Sequence, residues 1–435
     1  MNCIREKFIC IILFLTLGLT ACGSQDEKES AFVGDMNPAP VTISITYAMG
    51  DNAHQKGIQT VINDFKKSHL NVQIKVLDNR NQAKGYADSL AMLDAMDEFP
   101  DLIEMRDTQI FADAGLLAEL PEDIMYLFDK IPQVNGKVYT APLNTEMPQG
   151  IIYNKKLFQQ LGLGEPSTYQ EFLEICETIK SFGVSPLVVG GKDLWHMGFW
   201  INHFMMDYVY AKDTEWNRKR SVGQTNWTDT SPLTAIQELQ GLWKNGYVEP
   251  SYMNISDNQT IGYLVSGKAA MLMSGPWMFK QLEQANPDFE IGFFPVPDRN
   301  GDFHIIGLPQ PSGWSISSNA AMDPEKVKYI KQFLRFFYSE EEYPKYLEAA
   351  SAFPSTKESV TYRTSELMKK VGDLLRNPRM IKLRSMDQYW GADQIPPGFR
   401  NEFYSIVQNS LSGKISVDEA MIQANQAWEK KKRQN

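Results

Sequence analysis

Between Val41 and Met105 the hydrophobic period changes from that of a strand to that of a helix and back, and this alternation restricts the fold more than any other feature. Val41-Thr42-Ile43-Ser44-Ile45-Thr46-Tyr47 alternates apolar and polar residues. Ile58, Val61, Ile62 and Phe65 then fall at the spacing of one helix face. Val72, Ile74 and Val76 alternate again, and Tyr86, Leu90 and Leu93 form a second helical stripe. After Pro100, Asp101-Leu102-Ile103-Glu104-Met105 reads as a third strand. Strand, helix, strand, helix, strand in so short a run predicts parallel pairing with right-handed crossovers, the start of an open α/β lobe.

The pattern restarts after Gly136. Gly150-Ile151-Ile152-Tyr153-Asn154 predicts a strand running into a short helix, and Thr168 with Glu171 predicts a capping box. That box opens a helix with Phe172, Ile175, Cys176 and Ile179 on its core face. Val184 to Val189 predicts a strand, and Ser231 with Pro232 starts a helix carrying Leu233, Ile236, Leu239, Leu242 and Trp243. A helix over Asn258 to Ser266 precedes strands over Ala269 to Met273 and Phe289 to Phe294. Pro295 to Gly313 reads as a loop, Trp314 to Ser317 as a strand, and Asp323-Pro324 as the start of a helix with Val327, Ile330, Leu334 and Phe337 inward. The remainder reads as helices joined by Pro- and Gly-rich loops. A chain of 435 residues is too long for one core, so two domains are expected.

The N-terminus bears on location. Arg5 and Lys7 precede the apolar run Phe8 to Leu19, and Thr20, Ala21 and Cys22 follow. The run is shorter than the roughly 20 residues that span a bilayer, so it reads as a secretory signal over residues 1–21. Leu19-Thr20-Ala21-Cys22 resembles the bacterial lipoprotein box, which implies cleavage before Cys22 and acylation, palmitate included, of its thiol; the alternative is an ordinary signal containing a Cys. Residues 22–40 are polar and small, as in a flexible tether. Two or more acyl chains hold a protein stably on a membrane. Of four Cys, signal removal leaves Cys22 and Cys176, so no disulfide framework is expected. The net charge of −10, without a basic stripe, argues against nucleic acid.

Four blocks resemble the family of bacterial extracellular solute-binding proteins of the maltose-binding type. They are Pro100-Asp101-Leu102-Ile103 with Ala114-Gly115-Leu116-Leu117; Gly136-Lys137-Val138-Tyr139 with Pro142 and Ile152-Tyr153-Asn154-Lys155; Ser266-Gly267-Lys268-Ala269-Ala270-Met271 with Gly275-Pro276-Trp277; and Ser312-Gly313-Trp314 with Pro324-Glu325. In the last block Ser312 stands where the family carries Gly. The resemblance covers essentially the whole chain after the signal. It implies a two-lobed α/β fold of the periplasmic-binding-protein type II, with discontinuous lobes and a hinge cleft. The first lobe would comprise residues 41–146 and 312–345, and the second 147–311 and 346–435. Crossings would lie near Asn144 to Gly150, Pro309 to Ser315 and Tyr338 to Tyr346. The implied function is the lipid-anchored binding subunit of an ABC importer, on the outer face of the cytoplasmic membrane. It would capture a sugar or oligosaccharide as a monomer and deliver it to membrane permease subunits. A sensor lipoprotein serving a membrane receptor kinase, a secreted carbohydrate-active enzyme and a purely structural surface lipoprotein remain as alternatives.

A sugar offers apolar ring faces and a rim of hydroxyls, so its site needs flat aromatics beside paired donors and acceptors. Ligands of open α/β sheets sit beyond the carboxyl ends of the strands. That rule selects Gly50, Asp51 and Asn52 after the first strand, Arg106, Asp107 and Thr108 after the third, and Asn144, Thr145 and Glu146 at the first crossing. It also selects Trp277, with Gly275 allowing close approach, and Trp314 at the second crossing. Trp277 and Trp314 match family positions that line the cleft. Trp195 and Trp200 follow the Val184 to Val189 strand, in an aromatic stretch that fits core packing equally well. Tyr389 and Trp390 can cover the cleft. Trp243 and Cys176 read as core.

Catalytic signals are weak. The five His lack metal-ligand spacing. Asp298 to Asp302 lacks the carboxylate ladder of a calcium loop, and there is no Gly-rich phosphate loop. Carboxylate pairs alone do not support a glycosidase. A binding protein without cofactor or metal, rather than an enzyme, is expected.

Overall fold

A computed structural model of the protein describes residues 40–78 and 85–434. The expected signal, Cys22 and nearly all of the tether lie outside the described residues. The strands are β1 (Val41–Thr46), β2 (Val72–Val76), β3 (Leu102–Met105), β4 (Gly150–Asn154), β5 (Ser185–Val188), β6 (Ala269–Ser274), β7 (Ile291–Phe294), β8 (Phe303–Ile306), β9 (Gly313–Ile316) and β10 (Met380–Leu383). The first sheet has the order β2-β1-β3-β9, the second β5-β6-β4-β7.

In the first sheet β1 pairs parallel with β2 and β3, as the strand–helix alternation predicts, while β9 returns antiparallel to β3. The helix Asn52–Ser68 turns Ile58, Val61, Ile62 and Phe65 into the core, all fully buried. Burying such side chains contributes roughly 1.5–3 kcal/mol each. The helices Pro324–Phe337 and Tyr343–Ala350 complete this core with Phe333, Leu334, Phe337, Tyr343 and Tyr346. In the second sheet β4 runs antiparallel to β6 and β7, and β5 parallel to β6. β6 is buried along its whole length and packs against the helices Leu194–Met205 and Asp257–Val265. The helices Tyr169–Ser181, Leu194–Met205 and Thr230–Lys244, with Phe399–Leu411 and Val417–Gln434 from the C-terminal part, build a large core around Trp200, Trp227 and Trp428. Each sheet with its own core is one lobe of a two-lobed type II fold. The lobes are discontinuous, since β9 belongs with β1 while the C-terminal helices belong with β4.

Five expectations need correction. The first core does not end at residue 345: Tyr346, Leu347, Ala350 and Ala352 belong to it, and Val360 and Tyr362 pack on it. Phe353 and Leu367 pack on the second core and Met368 belongs to it, so the chain passes between the lobes over residues 353–367 rather than near Tyr338 to Tyr346. The Pro295 to Gly313 stretch holds β8, which pairs parallel with β10 in a small separate sheet. The helix expected from Ser231 starts at Thr230 after Asp229, with Pro232 inside its first turn. Thr168 accepts from the Glu171 N–H as a cap, but the Glu171 carboxylate takes the Ser167 N–H rather than that of Thr168, so the box is displaced by one residue. A complete capping box stands instead at Ser256 and Gln259.

Candidate ligand cleft

The carboxyl ends of β1 and β3 place a polar network on the first lobe. Glu104, inside β3, points away from the solvent and is 3 % exposed. It accepts from the Ala48 N–H at 2.9 Å, His54 Nε2 at 2.7 Å and Arg106 Nε at 2.8 Å. Burial alone would raise its pKa; Arg106, His54 and these hydrogen bonds bring it down to about 2. The Tyr346 hydroxyl donates to Asn144 Oδ1 at 2.9 Å and lies 3.3 Å from His54 Nδ1. The network therefore joins β1, β3, the first crossing and the Tyr343–Ala350 helix into one rigid floor.

Asp51 caps the Asn52–Ser68 helix, its Oδ1 accepting from the Ala53 and His54 N–H groups. The same oxygen accepts from Gln281 Nε2 of the second lobe at 3.2 Å, and Asn52 Nδ2 donates to Asn258 Oδ1 at 3.2 Å. Burial raises the Asp51 pKa despite His54 and the cap bonds. Across this seam stand three rings. Trp195, 39 % exposed, meets Phe199 edge-on at 5.5 Å, and Phe199 lies 5.8 Å from Trp277. Trp277 is half-buried and folds back over Gly275, where a Cβ would stand 2.0 Å from its ring. Only glycine permits that fold-back. Gly50 faces the Trp195 indole nitrogen.

Further along, a groove between the lobes is lined by Asp88, Arg106 and Asp107 on one side and by Asp387, Trp390 and Arg400 on the other. Arg400 lies 3.5 Å from Asp107 and 3.3 Å from Asp387, and Asp107 above all holds its pKa above the usual arginine value. Trp390 donates to the Gln133 carbonyl at 3.1 Å and carries Arg384 over its ring at 4.7 Å, while the Gly391 N–H donates to Gln109 Oε1. The lobes thus meet along a seam of hydrogen bonds flanked by aromatic rings.

Six of the residues expected to bind ligand, Asp51, Asn52, Asp107, Trp195, Trp277 and Trp390, lie on this seam. Glu146 lies beside it with both oxygens occupied by Gln310 and Gln388. Two expectations are overturned. Trp314 is fully buried in the first core, wedged edge-on between Phe333 and Phe337, with β3 and Ala141 beside its backbone. Trp200 is fully buried in the second core against Phe172 and Phe204. Neither ring has a face open to a ligand. Gly313, at φ +136, is required where β9 passes Ala141: a Cβ there would lie 2.0 Å from its carbonyl oxygen. The seam residues His54, Glu104, Gln281, Asn258 and Arg400 are not singled out by sequence reasoning. Glu104 alone has a signal, a charge at an inward strand position; the others are ordinary polar residues of helices.

Among the described residues no cluster of His, Cys, Asp or Glu is fit to hold a metal, and no helix is long and apolar enough to cross a membrane. Cys176 is free and buried, and burial pushes its thiol well above the ordinary cysteine value.

Residues 51–344 match the family model described as bacterial extracellular solute-binding protein. The chain is similar to the melibiose/raffinose/stachyose-binding protein MelE of Bacillus subtilis (strain 168), at 23% identity over 349 residues, 76% of each chain. In structure it is similar to a chitin oligosaccharide binding protein, at a TM-score of 0.79 and 21% identity, covering 91% of this chain and 100% of the other. It is also similar to a sugar transporter from Bacillus licheniformis in complex with stachyose, at a TM-score of 0.74 and 18% identity, covering 90% and 100%.

Proposed function

The chain belongs to the family of bacterial extracellular solute-binding proteins, and from that premise we propose that it captures a sugar or oligosaccharide between its lobes and delivers it unchanged to an ABC permease. The observation that carries the reading is the juxtaposition of Trp195, Phe199 and Trp277 with Gly50, Asp51 and Asn52 across the seam. Rings stack on sugar C–H faces, and the polar groups that now pair lobe to lobe exchange those bonds for hydroxyls. The names of the relatives above support an oligosaccharide. Asp51, Asn52, Asp107, Trp195, Trp277 and Trp390 are the proposed contacts. The solute favours the closed form by its differential affinity for it.

A thermal-shift screen of stachyose, raffinose, chitin oligosaccharides and monosaccharides tests this. At least one is expected to raise the melting temperature and to be recovered intact. No shift with any of them, or cleavage of the sugar, overturns the reading. The proposed anchor at Cys22 has its own test: Cys22→Ala should move the protein from the membrane fraction to the medium, and unchanged membrane retention would remove the anchor.

A further inference from the structure

Glu146 stands on the first crossing, four residues before β4. Its Oε1 accepts from Gln310 Nε2 at 2.5 Å, and its Oε2 from Gln388 Nε2 at 3.1 Å. Gln310 belongs to the second crossing, three residues before β9. Gln388 belongs to the far wall of the cleft, in the turn Met386–Gln388 that precedes Trp390. Its orientation is fixed, because its Oε1 accepts the Ser385 N–H at 3.1 Å. Next to Glu146 on the same crossing, the Thr145 N–H donates to the carbonyl of Phe353, whose ring packs on the second core directly after Ala352 of the first, so this crossing is tied to the segment that also passes between the lobes. One carboxylate thus joins the two crossings about which the lobes turn to the wall that closes on the solute.

We propose that Glu146 is a positioning residue of the hinge, which sets the angle between the lobes through Gln310 and Gln388 and does not itself touch the solute. The proposal rests on the reading of the protein as a cleft that closes on its ligand. Both donors to Glu146 are neutral amides. The charged groups facing it are Arg106 at the end of β3, and Asp387 and Arg384 on the far wall. Burial pushes its pKa up to about 7, against the pull of Gln310, Gln388 and Arg106. When the lobes part, Gln388 withdraws and water reaches the carboxylate, which returns toward an ordinary glutamate value near 4.3. Closing therefore takes up a proton. Through Glu146 the closed form is favoured at low pH and loses ground as pH rises from about 4.3 to about 7, and this carboxylate adds no further change above that.

The test uses the full chain in two arms. Small-angle scattering follows the radius of gyration without ligand from pH 5 to pH 9, and calorimetry follows stachyose binding over the same range. The wild-type radius should grow with pH up to about 7, and stachyose affinity should fall by roughly ten- to eightyfold between pH 5 and pH 8, the larger figure holding where the unliganded protein is mostly open. Glu146→Gln should remove the Glu146 share of both profiles below about pH 7 and leave only the slope that Asp257 and Asp51 contribute across the seam. A wild-type radius independent of pH, or a Glu146→Gln variant that keeps the wild-type slope, overturns the proposal. So does an equal loss of affinity at every pH with the slope intact, which is the mark of direct solute contact. If stachyose does not bind, the scattering arm still decides the hinge, while the choice of sugar falls separately. If Glu146→Gln does not fold, Gln388→Leu keeps the carboxylate and removes one donor, so the midpoint of the scattering profile should move upward; an unmoved midpoint overturns the proposal.

Discussion

A tryptophan serves as a sugar platform only if packing leaves one of its faces open, and here four tryptophans chosen by the same strand-end rule divide on that point. Trp277 and Trp195 keep exposed area at the seam, while Trp314 and Trp200 have none. Substitutions should separate the two classes. Trp277→Ala is expected to weaken oligosaccharide binding by about 1–3 kcal/mol, the loss of one stacking surface, with little change in melting temperature. Trp314→Ala empties a packed core position and should cost about 3–5 kcal/mol of stability. Calorimetry and thermal denaturation of both variants check the contrast; a stable Trp314→Ala that loses only affinity would restore that residue to the site. The strand-end rule was sufficient to bring Asp51, Asn52, Asp107 and Trp277 to one seam. It was not sufficient for Trp314, because which side of β9 faces the core depends on Phe333 and Phe337, some twenty positions along the chain. Glu146 shows the same limit: its neighbours Gln310 and Gln388 are remote in sequence, so a loop carboxylate next to the cleft could not be told from a hinge clamp.

Elements were legible where their period was long and their ends were marked. The Pro324–Phe337 helix combines an inward stripe with Asp323, whose Oδ1 accepts from the Glu325 and Lys326 N–H groups. Asp323→Ala should cost about 1 kcal/mol through loss of that cap, read as a small drop in denaturation midpoint with no effect on binding. A larger drop accompanied by lost affinity would mean that the helix transmits more than stability. The strands β8 and β10 were not legible. Each has four residues, and they pair with one another across more than seventy positions, so neither has a local period to read. The Gly275 turn makes a sharper case. Gly275→Ala puts a methyl group into the Trp277 ring, which must swing away. The variant should lose stacking affinity at least as severely as Trp277→Ala, with tryptophan fluorescence shifted; unchanged emission and affinity would show that the ring already has freedom to move.

For the whole molecule, the seam between the lobes is an acidic junction whose charge state must affect how firmly it shuts. Asp257, 1 % exposed at the start of the Asp257–Val265 helix, stands near Asp193 of its own lobe and Asp51 of the other. Burial first, then the charges of Asp51 and Asp193, raise its pKa to about 8. His196 Nε2 lies 3.6 Å away, beyond hydrogen-bond reach, and burial lowers the pKa of that ring to about 3. The two groups act on opposite sides of neutrality. Asp257 holds its proton in the folded protein when the unfolded chain has already released it, so its contribution to stability declines as pH rises from about 4 to about 8. His196 remains neutral when the unfolded chain has become protonated, so its contribution is intact above pH 6.5 and is lost as pH falls toward 3. Asp257→Asn removes only the first of these. It should raise the melting temperature at pH 9 by about 2–5 °C, with the gain fading toward pH 4 and the acid limb of the stability profile unchanged. A gain of equal size at every pH would mean that the substitution improves packing rather than relieving a buried charge, and a loss at pH 9 would mean that the ionised carboxylate is one of the bonds by which the lobes hold each other.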